Sequence, residues 1–277
     1  MNQSAAKDLP LEGLPIWQIV KASYRDTFRH SRAFATAAAL PFLISVILAA
    51  LTTGAIEDQD QVLVVRIIPD SILVALFEIA WLRFLLLDTD AARPSFLPRP
   101  GARILPYVGY ALFLLLLSVP SYVTFLAFEQ LADVRTPDWW VFLAATLLLY
   151  VVGIYFSLRF GFVYLWIAVD APERLGASWR RTRGNGLRLL LILFIVAAPP
   201  FLLTLSSVPL LAVLSPESAA RLDNNSATGL LLWTNIAVEE LINYVLYGLS
   251  ATAMVHAFRH LTGWISDRDR TILERFE

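Results

Sequence analysis

The sequence predicts an all-α integral membrane protein with six transmembrane helices. Of its 277 residues, 57% are hydrophobic and 16% are charged, whereas a soluble domain has about 45–50% and about 25%. The hydrophobic residues are gathered in uncharged runs such as 33–56 and 189–216, and about 20 apolar residues are enough for a helix to cross the hydrocarbon core. The loops between the runs are alternately rich in arginine and in acidic residues.

The runs and the segments between them define the predicted elements in chain order. The six spans are 32–52, 61–87, 104–128, 139–169, 187–214 and 229–256, within a transmembrane domain that covers 32–260. A flexible tail at 1–10 and a cytoplasmic interfacial helix at 11–31 come before this domain, and a cytoplasmic tail at 261–277 follows it. Because about 30 mostly polar residues precede the first apolar run, we expect no cleaved signal peptide, whose short basic region leads directly into its apolar core.

The basic residues predict the orientation of these spans. Seventeen of the 22 Lys and Arg residues fall in the N-terminal segment, the second and fourth loops and the C-terminal tail. Basic residues are retained on the cytoplasmic side of a membrane, so both ends of the chain are expected in the cytoplasm, an N-in/C-in topology. The opposite loops are acidic, and Trp139, Trp140 and Trp233 stand at their boundaries, where aromatic rings favour the headgroup zone.

Two cytoplasmic segments, 11–31 and about 171–184, are predicted to be amphipathic helices that lie on the membrane. In the first, apolar residues recur at a spacing near 3.6 and basic residues occupy the other flank. Such a helix rests in the headgroup layer and is attracted to anionic lipid. The alternative is a connector helix that packs on its own bundle. The apolar residues are Trp17, Val20, Tyr24 and Phe28, and the basic residues are Lys21, Arg25 and Arg29.

The two amphipathic segments are also similar to each other. Residues 22–27 read ASYRDT and residues 177–182 read ASWRRT. Each segment is followed by a span with a proline near its middle. An internal duplication of surface helix plus hairpin would relate the two halves by an axis along the membrane normal, although a similarity of six positions can also arise by chance.

The second segment carries a pattern found in a known family. Residues 177–188 read ASWRRTRGNGLR, and the sequence then becomes apolar. This resembles the S-x-x-x-T-R-G-N start of a late span in a group of bacterial membrane proteins. The group includes the uncharacterised YciC-type inner-membrane family and the membrane domain attached to some glycerophosphodiester phosphodiesterases. Residues 24–27, YRDT, are similar to the start of YciC-type proteins. The resemblance implies a six-helix, multi-pass domain of the bacterial inner (plasma) membrane. It implies no reaction, because the phosphodiesterase activity belongs to a separate soluble barrel.

The residues of this pattern have definite structural expectations. Gly184 can end a helix with a positive φ, and Asn185 can then cap the next helix. Arginines at headgroup depth can bind phosphate. The alternative is a helix–turn–helix corner whose arginines only set the topology. The residues concerned are Thr182, Arg183, Gly184, Asn185 and Arg188.

Ionisable residues within the spans are the best pointers to function, because a charge in hydrocarbon costs several kcal/mol unless it is paired or hydrated. Arg66 and Asp70 are four apart and are expected to pair along one helix. Similar depth makes Glu78 and Arg159 a second expected pair. Structural hydrogen bonding, a hydrated ligand cavity and catalysis remain open as roles. The full set is Arg66, Asp70, Glu78, Arg159, Asn235, Glu239, Glu240 and Asn243.

The sequence shows no catalytic motif. It has no cysteine, no glycine-rich phosphate loop and no Gly-x-Ser-x-Gly turn. We therefore expect a non-enzymatic envelope protein, either a scaffold, a partner-binding protein or a lipid-organising protein, without metal or cofactor. Its expected partners are anionic lipid headgroups at the cytoplasmic face and proteins, including further copies of itself, but not nucleic acid. The alternatives are an ion or small-molecule transporter or channel that uses the intramembrane carboxylates, and an intramembrane lipid-modifying enzyme.

Overall fold

The structure is a computed structural model that describes residues 13–55, 59–87, 94–96, 101–116, 139–171, 175–214 and 230–265, together with Pro120 and Thr124. The predicted tail at 1–10, most of the predicted tail at 261–277 and most of the outer half of the third predicted span lie outside the described residues. Throughout the described residues the regular structure is helical.

The described residues form nine α-helices. A 3-10 turn at Gly101–Arg103 leads into the fourth helix. The helices are α1 (Ile16–Arg29), α2 (Ser31–Ala55), α3 (Gln59–Leu87), α4 (Ile104–Leu116), α5 (Trp139–Phe160), α6 (Phe162–Ala168), α7 (Leu175–Arg181), α8 (Gly186–Leu214) and α9 (Leu230–Thr262).

Four helical stretches of the described chain are long and apolar enough to cross a membrane: Ser31–Thr53, Trp140–Ala168, Gly186–Thr204 and Trp233–Thr262. They coincide with the first, fourth, fifth and sixth predicted spans. Helix α3 has 29 residues, but its charged side chains make it less apolar. For α4, the described part is a short apolar helix. These are the helices of a multi-pass membrane protein, while α3 and α4 as spans remain predictions.

Helix α9 is central to the bundle, because α1, α2, α3 and α8 all pack against it. Its contact with α2 depends on a glycine. A Cβ added to Gly248 would lie 2.1 Å from Cε2 of Phe34. The ring of Phe34 is itself fixed by edge-to-face contacts with Phe77 and Trp81, each with centroids 5.3 Å apart. Small residues of this kind let membrane helices approach closely.

A second glycine brings the fourth predicted span onto α9. Gly161 separates α5 from α6, and a Cβ at this position would lie 2.7 Å from Cε of Met254. Gly153, Ser157 and Gly161 form a stripe of small residues on this span, a spacing that permits close helix contacts. At Gly161 the close contact is made within the chain.

The predicted cytoplasmic segments meet at one end of the bundle. Arg83 near the end of α3 and Arg103 before α4 both donate to the carboxylate of Asp170, which follows α6. The hydrogen bond from Arg103 is the main reason that the pKa of Asp170 is lowered. At the same end, the indole of Trp264 donates to the carbonyl of Leu86 over 3.3 Å.

Helix α1 combines features of both alternatives considered for it. It packs on α8 and α9 through a face that includes Ile19, Val20 and Thr27, all buried. Trp17 and Phe28 remain 65% and 64% exposed, on a helix that also exposes its basic residues. The helix therefore packs on the bundle through one face and exposes apolar and basic side chains on the other, and its position in the headgroup layer stays a prediction.

The two similar segments share a burial pattern. Ser23 and Thr27 in the first segment, and Ser178 and Thr182 in the second, are all buried. Their partners differ, however: Thr27 contacts the hydroxyl of Thr252 on α9 over 3.0 Å, whereas the second pair contacts α5. The internal duplication stays a prediction.

Candidate intramembrane binding site

A cavity of about 460 Å³ lies between α3, α4, α5, α6, α8 and α9. Most of its walls are apolar, with Leu193 as the contribution of α8. Along α3 the walls run from Ile67 to Leu82, which is about 22 Å of helix at 1.5 Å per residue. The polar side chains in the walls are Asp70, Ser71, Glu78, Tyr107, Ser157, Tyr164, Tyr247 and Ser250.

Glu78 is one of the two carboxylates in these walls. Its Oε2 accepts a hydrogen bond of 2.6 Å from the hydroxyl of Tyr107 on α4. Among the described residues, no Lys, Arg or His lies within ion-pair distance of it. The expected pair between Glu78 and Arg159 is wrong, because these side chains point toward different neighbours.

Arg159 is instead enclosed by α7 and its own helix. Its Nε donates to Oγ1 of Thr182 over 2.9 Å, and its two terminal nitrogens donate to the hydroxyl of Tyr155 and to the carbonyl of Trp179 over 3.0 and 2.6 Å. The guanidinium also lies 3.7 Å from the centroid of the Trp179 ring. The carbonyl and the ring of Trp179 stabilise the Arg159 guanidinium in place of the expected Glu78 carboxylate.

The family-like pattern builds the corner that holds Arg159. Ser178 donates to the backbone carbonyl of Arg159 over 2.7 Å, and Thr182 accepts from its side chain. Gly184 has φ of 78°, so the expected positive φ is confirmed. The side chain of Asn185 is buried and accepts from the backbone N–H of Leu14 over 3.1 Å. It therefore ties the start of the described chain to α8, which differs from the expected capping of α8 by this side chain.

The two arginines of the pattern differ in their surroundings. Arg183 is exposed. The guanidinium of Arg188 covers Gly13, since a Cβ at that glycine would lie 1.4 Å from Nη1. Arg188 is thus in contact with the N-terminal segment, and phosphate binding by either arginine remains a prediction.

A cluster of charged residues lies toward the far end of α3 from Asp170. Nη2 of Arg66 donates to Oε1 of Glu240 over 2.7 Å, and Nε lies 3.1 Å from Oδ2 of Asp70. The expected pair between Arg66 and Asp70 is confirmed. Oδ1 of Asp70 is buried without a hydrogen-bond partner in the described part of the chain.

The remaining predicted residues of α9 lie outside this arrangement. Glu239 is exposed, and Asn235 and Asn243 are partly buried. None of the three lines the cavity. The polar side chains of α9 that do line the cavity are Tyr247 and Ser250.

Sequence reasoning missed the tyrosines that surround Glu78. Tyr107 and Tyr164 pack with ring centroids 4.6 Å apart, and both line the cavity. The sequence did contain one signal: both tyrosines stand in apolar runs, where a phenol hydroxyl needs a hydrogen-bond partner.

At the predicted cytoplasmic end, Nε2 of His256 lies 3.1 Å from Oδ2 of Asp26. The described residues contain no group of three His, Cys, Asp or Glu side chains that could hold a metal ion.

Comparison of the chain with protein family models, curated proteins and solved structures found no match.

Proposed function

We propose that this multi-pass membrane protein binds a small molecule inside its helix bundle and carries it across the membrane. The observation that supports the proposal is the cavity with Glu78 in its wall and no cationic partner beside it among the residues that the structure describes. A mostly apolar cavity with a few converging polar groups is typical of small-molecule sites. An ionisable residue that faces a cavity between membrane helices is typical of substrate and ion pathways.

The length of the cavity favours transport over binding alone. The wall formed by α3 extends over about 22 Å of helix, whereas the hydrocarbon core of a bilayer is about 30 Å thick. A ligand in this cavity would be within reach of both membrane surfaces after small movements of the helices. From the sequence, transport was an alternative to a scaffold, partner-binding or lipid-organising role. The cavity favours transport over these roles.

Thiol labelling tests this function, since the chain has no cysteine of its own. Ser71→Cys and Ser157→Cys place thiols in the cavity walls, and Ala257→Cys places one in the dry core as a matched control. In proteoliposomes, we expect a membrane-impermeant methanethiosulfonate reagent to label the first two from either side and to leave the control unlabelled. Labelling from one side alone would contradict transport, and no labelling would contradict a hydrated cavity.

A second function, organisation of anionic lipid, is supported by the exposed face of α1. Trp17 and Phe28 are exposed beside Lys21, Arg25 and Arg29, as expected of a helix in the headgroup layer. A bimane label on Trp17→Cys or Phe28→Cys should be quenched by brominated lipid, and a label on Ser23→Cys, which is buried, should not. Equal quenching at all three positions would contradict this arrangement.

We also propose a cytoplasmic location for both chain ends and membership of the YciC-type bacterial inner-membrane family. The basic residues support the first proposal. The second is supported by the roles of Ser178, Thr182, Gly184 and Asn185, because residues that build one corner together are expected to recur together. A scaffold role with protein partners or further copies of the chain remains a prediction.

A further inference from the structure

We propose that the cavity takes an organic cation, with an ammonium or phosphonium group beside Glu78 and an apolar body against the remaining walls. This inference rests on the proposed function, since it names the ligand class for the same cavity. The charges, oxygen atoms and aromatic rings of the cavity walls support this inference.

The charge of the walls is negative. Among the described residues, two carboxylates line the cavity and no Lys, Arg or His does. Arg66, the nearest described basic side chain to Asp70, is already shared between Asp70 and Glu240. In the part of the chain that the structure describes, Glu78 therefore has no cationic partner, and the buried Oδ1 of Asp70 has no donor. A buried carboxylate requires a compensating charge or proton, and a cationic ligand would supply that charge.

The walls suit an organic cation better than a bare metal ion. Calcium needs six to eight oxygen ligands at short distance, whereas the walls near Glu78 are largely hydrocarbon and aromatic. Tyr107, Tyr164 and Tyr247 present rings around the cavity, and aromatic faces attract organic cations. Burial of the apolar body against the other walls would add about 25 cal/mol for each Å² removed from water. These walls include Val74, Leu114, Leu158, Leu165 and Met254.

Two ions of the same shape and opposite charge test this inference. Tetraphenylphosphonium and tetraphenylborate are titrated into the full chain in phosphatidylcholine nanodiscs at alkaline pH, and binding to empty discs is subtracted. We expect saturable binding of the phosphonium and no saturable binding of the borate. Glu78→Gln should weaken phosphonium binding at least tenfold, while Glu239→Gln, the same change at an exposed position, should leave it within twofold.

The alternative outcomes separate this inference from the proposed function. Equal binding of the two ions, no binding of either ion, or full phosphonium binding by Glu78→Gln would overturn the inference. If Glu78→Gln does not fold, Glu78→Asp serves instead: retained phosphonium binding is expected, and its loss in a folded variant would count against the inference. Labelled cavity thiols without phosphonium binding would reject the cation while the proposed function stands.

Discussion

At the scale of single residues, Arg159 shows that a charged side chain in a membrane bundle can be wholly structural. Its nitrogens donate to Thr182, Tyr155 and Trp179, and no carboxylate of the described residues takes part. The Trp179 carbonyl belongs to α7, close to the end of that helix, where the backbone carries partial negative charge. Glu78 differs from Arg159, because its hydrogen-bond partner is the single hydroxyl of Tyr107 and its side chain lines the cavity.

Thr182→Val should destabilise the protein, because it removes the acceptor for Nε of the buried Arg159. An unmet buried donor costs about 1–3 kcal/mol, or more when it is charged. Thr146→Val is the matched control, since the Thr146 hydroxyl bonds the carbonyl of Phe142 in its own helix and no other described residue. Reversible denaturation in detergent would measure both variants, and an equal loss in the two would contradict the role assigned to Thr182.

Asp170 should contribute to acid sensitivity. Its pKa is lowered by the hydrogen bond from Arg103 and by the charges of both arginines, so its stabilising contribution is present at neutral pH. That contribution is lost as the pH falls through the lowered pKa. Asp170→Asn, which tolerates the observed φ of 58°, should therefore flatten the fall in stability below about pH 5. The effect should be small because Asp170 is well exposed, and unchanged acid sensitivity would contradict it.

At the scale of elements, the spacing of residues within one helix was predictable, and the contacts between helices were not. Arg66 and Asp70 pair because four residues separate them on α3. The proposed partner of Glu78 was wrong, because the rotation of α3 relative to α5 is set by packing across the whole bundle. The break at Gly161 was missed for the same reason, since the side chain that requires glycine there, Met254, lies on another helix.

Helix α1 should tolerate changes on one face only. Ile19→Ala removes a buried side chain from its contact face and should cost about 2–5 kcal/mol. Trp17→Ala removes a larger but exposed side chain and should change stability by about 0.5 kcal/mol or less. Denaturation in detergent would measure both. A larger loss for Trp17→Ala would mean that α1 packs through the opposite face.

The contact between α2 and α9 should be sensitive to a single methyl group. Gly248→Ala would place Cβ against Phe34, whose ring is held by two neighbours, and overpacking of this kind costs about 1–3 kcal/mol. Gly109→Ala on α4 is the control, because its Cβ would meet nothing within 4 Å and alanine favours the helix. Thermal unfolding should separate the two variants, and equal midpoints would contradict the close contact.

At the scale of the whole molecule, the distribution of basic residues and the contacts agree on which segments lie together. Leu14 meets Asn185, Arg103 meets Asp170, and these four residues all belong to segments predicted as cytoplasmic. The opposite end has the contact between Arg66 and Glu240. The charges of the loops determine the orientation of the spans during membrane insertion. The loops that lie together at one end of the bundle can therefore be predicted from the local sequence.

The cavity, by contrast, could not be predicted from the sequence. It depends on how six helices leave space between them, and residues from widely separated segments, such as Asp70, Tyr107 and Tyr247, form its walls. Apolar periodicity identifies which residues avoid water but not which gaps remain after packing. The carboxylates were found as candidates because charge is rare within a span, whereas the tyrosines carry no comparable signal.

Reaction of Glu78 with dicyclohexylcarbodiimide tests the central claim most directly. This reagent modifies carboxyl groups that it can reach in apolar surroundings, and peptide mass spectrometry locates the adduct. In proteoliposomes, the cavity predicts an adduct on Glu78 and a lower yield when tetraphenylphosphonium is present. If Glu78 stays unmodified in the folded protein while the same peptide reacts after denaturation, the carboxylate is sealed within a packed core and the account is wrong.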